Sequence, residues 1–157
     1  MRVFIMRHGE ASFHADSDPA RRLTERGIEQ TADMTRRLRE QSNNVEFVLV
    51  SPYVRAQQTL DVVRGEFPLP STVCIETFPA LIPGGDPAPC ADYLTVLAQQ
   101  GIGSVLVVSH LPLVSYLVSE LSQGSASPMF LTSAIACVEL DVETARGRFE
   151  WLMSPGL

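Results

Sequence analysis

Three continuous apolar runs stand out along the chain, Val3-Phe4-Ile5-Met6, Phe47-Val48-Leu49-Val50 and Val105-Leu106-Val107-Val108, each too short for a helix and each closed by a polar or turn-forming residue. Runs of this kind are the mark of strands buried on both faces. Val73 to Thr77 reads as a further, less apolar strand. Between them lie stretches with helical spacing. From Thr24, a candidate N-cap, the residues Ile28, Ala32, Met34, Thr35 and Leu38 offer an approximate apolar face, and Arg36, Arg37, Arg39 and Glu40 close the segment with charge. Ser51-Pro52 supplies an N-cap with proline at the first helical position, which predicts a second helix to about Phe67. A third helix is expected over Cys90 to Gln100 and a fourth from Pro112 to Leu121. Ala134 to Leu140 and Arg148 to Leu152 read as a closing hairpin. Strands alternating with helices predict a three-layer α/β/α sandwich with a mostly parallel central sheet and antiparallel pairing at one edge. In such sheets ligands bind beyond the carboxyl ends of the strands. That rule directs attention to Arg7-His8-Gly9, Ser51 to Arg55, the breaker-rich loop Pro79 to Pro89, and Ser109-His110.

Composition narrows the picture. A chain of 157 residues, 45% hydrophobic, suits one globular domain spanning 1–157. No apolar stretch approaches the roughly 18 residues of a membrane span, and the N-terminus lacks the long apolar core of a signal peptide, so a cytoplasmic location is expected. Cys74, Cys90 and Cys137 are odd in number and widely spaced, and read as buried or half-buried free thiols. A net charge of −6 argues against nucleic acid or acidic membranes as partners. An anionic substrate must therefore be held by a local cluster of cations.

Such a cluster is written at the strand ends. Arg7, His8, Arg55 and His110 fall on one predicted rim of the sheet, although more than a hundred residues separate the two histidines. Guanidinium forks suit phosphoryl oxygens, and a protonated imidazole adds a further cationic donor. With no serine or cysteine in a base-paired motif, the attacking group is an imidazole nitrogen, and His8 is the better placed of the two. His8, Glu10, His14, Asp16 and Asp18 lie close together in the sequence but lack metal-ligand spacing, and arginines beside them oppose cation binding. No metal and no cofactor is expected. His14 reads as a surface residue, and Met129, Phe130 and Trp151 as packing.

Arg7-His8-Gly9 at a strand end, Leu23-Thr24-x-x-Gly27, Ser51-Pro52-x-x-Arg55-Ala56-x-x-Thr59 and Ser109-His110 together resemble the histidine phosphatase superfamily, the relatives of phosphoglycerate mutase. The resemblance covers nearly the whole chain. Its small size, the opening Val-Phe-Ile-Met-Arg-His-Gly, and the segments around Val108 to Val114 and Pro128 to Ala136 look like the SixA type of phosphohistidine phosphatase within that superfamily. The resemblance implies that His8 is the nucleophile, that Arg7 and Arg55 hold phosphoryl oxygens, and that His110 stabilises the transferring group. Gly9 and Arg21 complete the expected phosphate-binding set.

One departure bears on the substrate. Many members carry a glutamate after the third strand that protonates an alcohol leaving group; here the stretch is Ala80-Leu81-Ile82-Pro83, with Pro83 aligned to that acid. An alkoxide needs a proton to leave, whereas imidazole, its conjugate acid having a pKa of about 6.5, leaves far more readily. The capping insertion of larger relatives is also absent. Both features suit a phosphohistidine presented by another protein, such as a histidine-phosphotransfer domain or phosphocarrier, acted on by a monomer. Glu10, Asp18 and Glu76 remain as alternative proton sources. The competing readings are a phosphatase of small phosphomonoesters and a non-catalytic phosphoprotein-binding module.

Overall fold

The computed structural model describes residues 1–156. Its strands are β1 (Arg2–Arg7), β2 (Phe47–Val50), β3 (Cys74–Thr77), β4 (Ser104–Ser109), β5 (Ile135–Leu140) and β6 (Gly147–Met153). The helices are α1 (Glu25–Gln41), α2 (Val54–Glu66), α3 (Ala88–Gln99) and α4 (Leu113–Leu121). All six strands form one sheet in the order β3-β2-β4-β1-β5-β6. The first four of these are parallel, and β5 and β6 run antiparallel at one edge.

Alternation along the central strands divides the core into two. Val3 and Ile5 of β1, with Val105 and Val107 of β4, pack beneath α3 and α4 against Leu94, Leu97, Leu113 and Leu117. Phe4, Met6, Leu106 and Val108 face the other way, onto Met34, Leu38, Leu60 and Val63 of α1 and α2. Because β1 and β4 are covered on both faces, their sequences are apolar without interruption. The expected α/β/α sandwich is the observed one.

Four local readings are corrected. The buried face of α1 is Gly27, Thr31, Met34, Thr35 and Leu38, while Ile28 is exposed. Thr31 is tolerated inside because its hydroxyl pairs with Ser133 Oγ at 2.9 Å, which satisfies both groups away from water. The helix α2 starts at Val54, two residues later than expected, because Ser51 does not cap it. Among residues read as packing, Phe130 is buried, but Met129 is exposed. Cys90 and Cys137 are buried free thiols and Cys74 is an exposed one.

Candidate active site

The strand register builds the site. Arg7 pairs with Ser109 across the parallel β1–β4 ladder, and Val50 pairs with Val108 across β2–β4. The next residue of each strand is therefore brought to one rim. His8 N–H donates to the Ser109 carbonyl at 3.0 Å, and Ser51 N–H to the Val108 carbonyl at 3.0 Å. His8 and His110 stand with ring centroids 5.0 Å apart. Arg55, on the first turn of α2, reaches the same point.

Every polar atom of His8 is held. Its carbonyl accepts from Ser133 N–H at 3.1 Å. Its ring Nδ1 donates to the Gly9 carbonyl at 2.7 Å, and its Nε2 accepts from Arg55 Nε at 3.3 Å. A carbonyl can only accept and a guanidinium can only donate, so the proton sits on Nδ1 and the lone pair on Nε2. Burial, the largest influence, lowers the His8 pKa to about 4; the Gly9 bond pulls upward, and the charges of Arg55, Arg7 and Arg21 add to the lowering. The imidazole is thus neutral at physiological pH, with a nucleophilic lone pair facing the pocket.

His110 is wired through Ser51. Tyr53 N–H donates to Ser51 Oγ at 3.1 Å, and among the described residues His110 Nε2, at 2.7 Å, is the only acceptor bonded to the buried Ser51 hydroxyl that can take its proton. His110 therefore carries its proton on Nδ1, and that buried atom has no partner in the protein. The sequence reading took His110 as a protonated cation; the structure corrects this. Burial, then repulsion from His8 and Arg55, lowers its pKa to about 3, so it offers a neutral N–H donor. An unpaired buried donor beside a nucleophile is costly to keep, and an incoming oxyanion would satisfy it.

The arginines are placed as follows. Arg55 is 4% exposed and also donates through Nη1 to the Asp18 carbonyl at 2.8 Å and through Nη2 to Asp18 Oδ2 at 3.2 Å. Arg7 donates to the Phe130 carbonyl at 2.9 Å and keeps a buried Nε without a partner. Burial first and Arg55 second lower its pKa, the signature of two guanidiniums sharing a space with too little negative charge. Arg21 spends Nε on the Ser12 carbonyl, Nη2 on Ala11 and Nη1 on Asp18 Oδ1. It lines the pocket, but its donors fasten the loop over it. Gly9 does likewise: its N–H goes to Thr59 Oγ1 at 2.9 Å and its carbonyl to His8, so it positions the imidazole and has no free N–H for phosphate. A Cβ there would meet Thr31 Oγ1 at 2.7 Å and the Gly27 carbonyl at 2.9 Å.

Three supporting residues have roles that the sequence does not assign to them. Ser51 and Thr59 lie in the Ser-Pro-x-x-Arg-Ala-x-x-Thr motif, where one was read as a helix cap and the other given no role. Thr59 accepts from Gly9 and donates to the Arg55 carbonyl at 2.7 Å, tying β1 to α2. Asp18, in a single 3-10 turn at Asp18–Ala20, bridges Arg21 and Arg55; those bonds hold its carboxyl below its ordinary range despite opposing desolvation. Asp18 is consequently ionised and a poor proton donor. Glu76 is not among the pocket-lining residues. Glu10 is, with Oε1 accepting from Thr24 Oγ1 and Oε2 facing Arg26 Nη1 at 3.7 Å. His14 is exposed, as expected.

These side chains line a half-open pocket of about 340 Å³, walled also by Ala11, Phe13, Pro83, Leu111 and Thr132. Pro83 stands on the wall at the position assigned to the missing acid. A larger groove of about 550 Å³ runs along α1 beside Pro155 and Gly156, but no histidine lines it. Among the described residues no three His, Cys, Asp or Glu side chains gather where they could hold a metal ion.

Comparison with known proteins bears directly on this geometry. The family model described as histidine phosphatase superfamily (branch 1) matches residues 3–78. Over 155 residues the chain is 50% identical to "Phosphohistidine phosphatase SixA" of Escherichia coli (strain K12), covering 99% of this chain and 94% of that protein. This chain belongs to the histidine phosphatase superfamily, on its SixA branch. A second relative, "Phosphohistidine phosphatase SixA homolog" of Haemophilus influenzae (strain ATCC 51907 / DSM 11121 / KW20 / Rd), is 42% identical over 142 residues, covering 87% of this chain and 86% of its own. A solved structure described as the protein histidine phosphatase SixA complexed with tungstate superposes with a TM-score of 0.93 at 50% identity, covering 99% of this chain and 97% of that one. His8, the nucleophile that the superfamily resemblance implies, is the residue whose four polar atoms are all fixed.

Proposed function

We propose that this chain is a phosphohistidine phosphatase, a hydrolase that takes the phosphoryl group from a histidine of another protein through a covalent phospho-His8 intermediate. The observation that carries this reading is the lone pair of His8 Nε2, held in a neutral imidazole beside Arg55 in a pocket that also holds two buried donors without partners, Arg7 Nε and His110 Nδ1. In the first step His8 Nε2 attacks phosphorus and the P–N bond to the substrate imidazole breaks on the opposite side. That imidazole leaves neutral once its second ring nitrogen takes a proton from solvent. Water then attacks the phospho-His8 and releases phosphate. Charge spreads over three equatorial oxygens in each transition state. Arg7 Nε, His110 Nδ1 and Arg55, whose Nε–H passes from the imidazole to a phosphoryl oxygen, are the donors that meet it.

The reaction class fits the pocket's acids as well as its bases. Glu10 is the one carboxylate among the described lining residues, and it is tied to Thr24 and Arg26, while Pro83 occupies the place of the family's acid. A P–N bond needs no built-in acid. Tungstate, bound in the related structure, is a tetrahedral oxyanion like phosphate. We further propose a single catalytic domain over 1–157 acting as a cytoplasmic monomer on a histidine-phosphotransfer domain or phosphocarrier; among the described residues no helix is long and apolar enough to cross a membrane.

Incubation with a ³²P-phosphohistidine protein tests the reading. Phosphate release and an acid-labile label on the enzyme are expected, and His8→Ala should abolish both. Release by His8→Ala above a tenth of the wild-type rate would refute the nucleophile assignment.

A further inference from the structure

His8 lies on the floor of its pocket, only 7% exposed. A histidine side chain is short, so a protein that delivers phosphorus to His8 Nε2 must press its own backbone neighbours onto the rim. Three exposed apolar side chains stand on the pocket's wall or on the adjoining loop. Phe13 on the pocket wall is 86% exposed, with the Arg21 guanidinium 4.3 Å from its ring centroid. On the loop before β5, Met129 is 69% and Leu131 46% exposed. That loop is anchored: Pro128 accepts from Ser115 Oγ and Phe130 from Arg7. Leu131 borders a second hollow of about 240 Å³ that shares Arg7, Glu10 and Thr132 with the catalytic pocket and extends to Arg26 and Gln30. The pocket and its mouth together carry four arginines, Arg7 and Arg55 inside and Arg21 and Arg26 at the mouth, against two carboxylates, Asp18 and Glu10.

We propose that Phe13, Met129 and Leu131 form a docking rim for the protein that carries the phosphohistidine, and that this protein flanks its histidine with apolar and acidic side chains. The inference rests on the phosphohistidine reading of the site and specifies its partner. Isolated exposed apolar side chains are ordinary, whereas one on the wall of a functional pocket with two more on the anchored loop that leads to its lining residue Thr132 mark an interaction surface. The cationic excess matches a partner with acidic neighbours, and like charges would be repelled. Small phosphorylated molecules, by contrast, would enter the pocket without covering the rim.

The test compares a phosphohistidine protein with free phosphohistidine as substrates of the same full-length enzyme. The Met129→Ser/Leu131→Ser double variant, and Phe13→Ser separately, should lower the ratio of kcat/KM for protein over free phosphohistidine by about tenfold, mainly through KM. Val142→Ser is the control: Val142 is exposed on the β5–β6 turn at the opposite end of the sheet, and its ratio should stay at the wild-type value. A ratio unchanged in both rim variants overturns the docking rim while leaving the phosphatase reading intact. Absence of phosphate release from either substrate by the wild-type enzyme overturns both.

Discussion

Acidification from about pH 7.5 to 5.5 discriminates sharply between the His8 of this fold and an ordinary histidine. With the ordinary pKa of about 6.5, an imidazole at pH 5.5 is only ~9% neutral. Held at about 4 by burial and three neighbouring arginines, His8 stays ~97% neutral at the same pH, a difference of roughly tenfold in competent nucleophile. Since kcat/KM reports the free enzyme's ionisations, its His8-dependent acid limb should fall near pH 4. The direct assay is NMR of ¹³C,¹⁵N-histidine-labelled protein through the titration, with the His8 resonance identified by its loss in His8→Ala. The spectrum should also show Nδ1 protonated and Nε2 bare. A midpoint at or above about 6, or the opposite tautomer, would refute the argument from the Gly9 and Arg55 bonds. Stability follows with a definite sign. The folded pKa lies below the unfolded one, so the unfolded chain takes up the proton first; this contribution is complete above about pH 6.5 and is lost as pH falls toward about 4. For His8 alone the loss is on the order of 3 kcal/mol. His110, with its pKa near 3, acts in the same direction over a window that reaches lower.

Two substitutions probe the wiring around the nucleophile. Ser51→Ala removes the proton that His110 Nε2 accepts, freeing the ring to adopt the tautomer that cannot donate through Nδ1; kcat should fall by about 10- to 100-fold with KM little changed, and steady-state kinetics showing a loss under twofold would refute the tautomer assignment. Asp18→Asn removes the carboxylate that competes with phosphate for Arg21 and Arg55, and the competitive inhibition constant for inorganic phosphate should tighten by about two- to fivefold, a modest effect because the pair is half exposed. A weaker constant would show that Asp18 chiefly positions Arg55.

Local pattern carried a great deal. The unbroken apolar runs of β1, β2 and β4 follow from burial on both sheet faces, so their existence and parallel pairing were readable before any coordinates. The rule that ligands gather beyond the strand ends then selected Arg7, His8, Arg55 and His110, all of which meet at one pocket. Motif offsets also marked Ser51 and Thr59, but sequence supplies no direction for a hydroxyl, and Ser51 was read as a helix cap when its proton belongs to His110. The face of α1 slipped for a related reason: hydropathy favours Ile28, whereas a partner 102 residues away in sequence, Ser133, makes Thr31 the buried residue.

What this sequence determined by itself is whatever depends on neighbours within a few positions: strand, helix and turn, the Thr24 cap, and the placing of cationic residues at element ends. Tertiary structure decided the lateral strand order that sets β4 beside β1, the depth of burial that keeps both histidines neutral, and the hydrogen bonds that choose their tautomers. The division is physical. Backbone propensity is settled over one or two turns of chain, whereas desolvation and the Ser51–His110 and Arg55–His8 contacts depend on groups that only the folded crossovers bring together, at 2.7 and 3.3 Å, with the two histidine rings 5.0 Å apart.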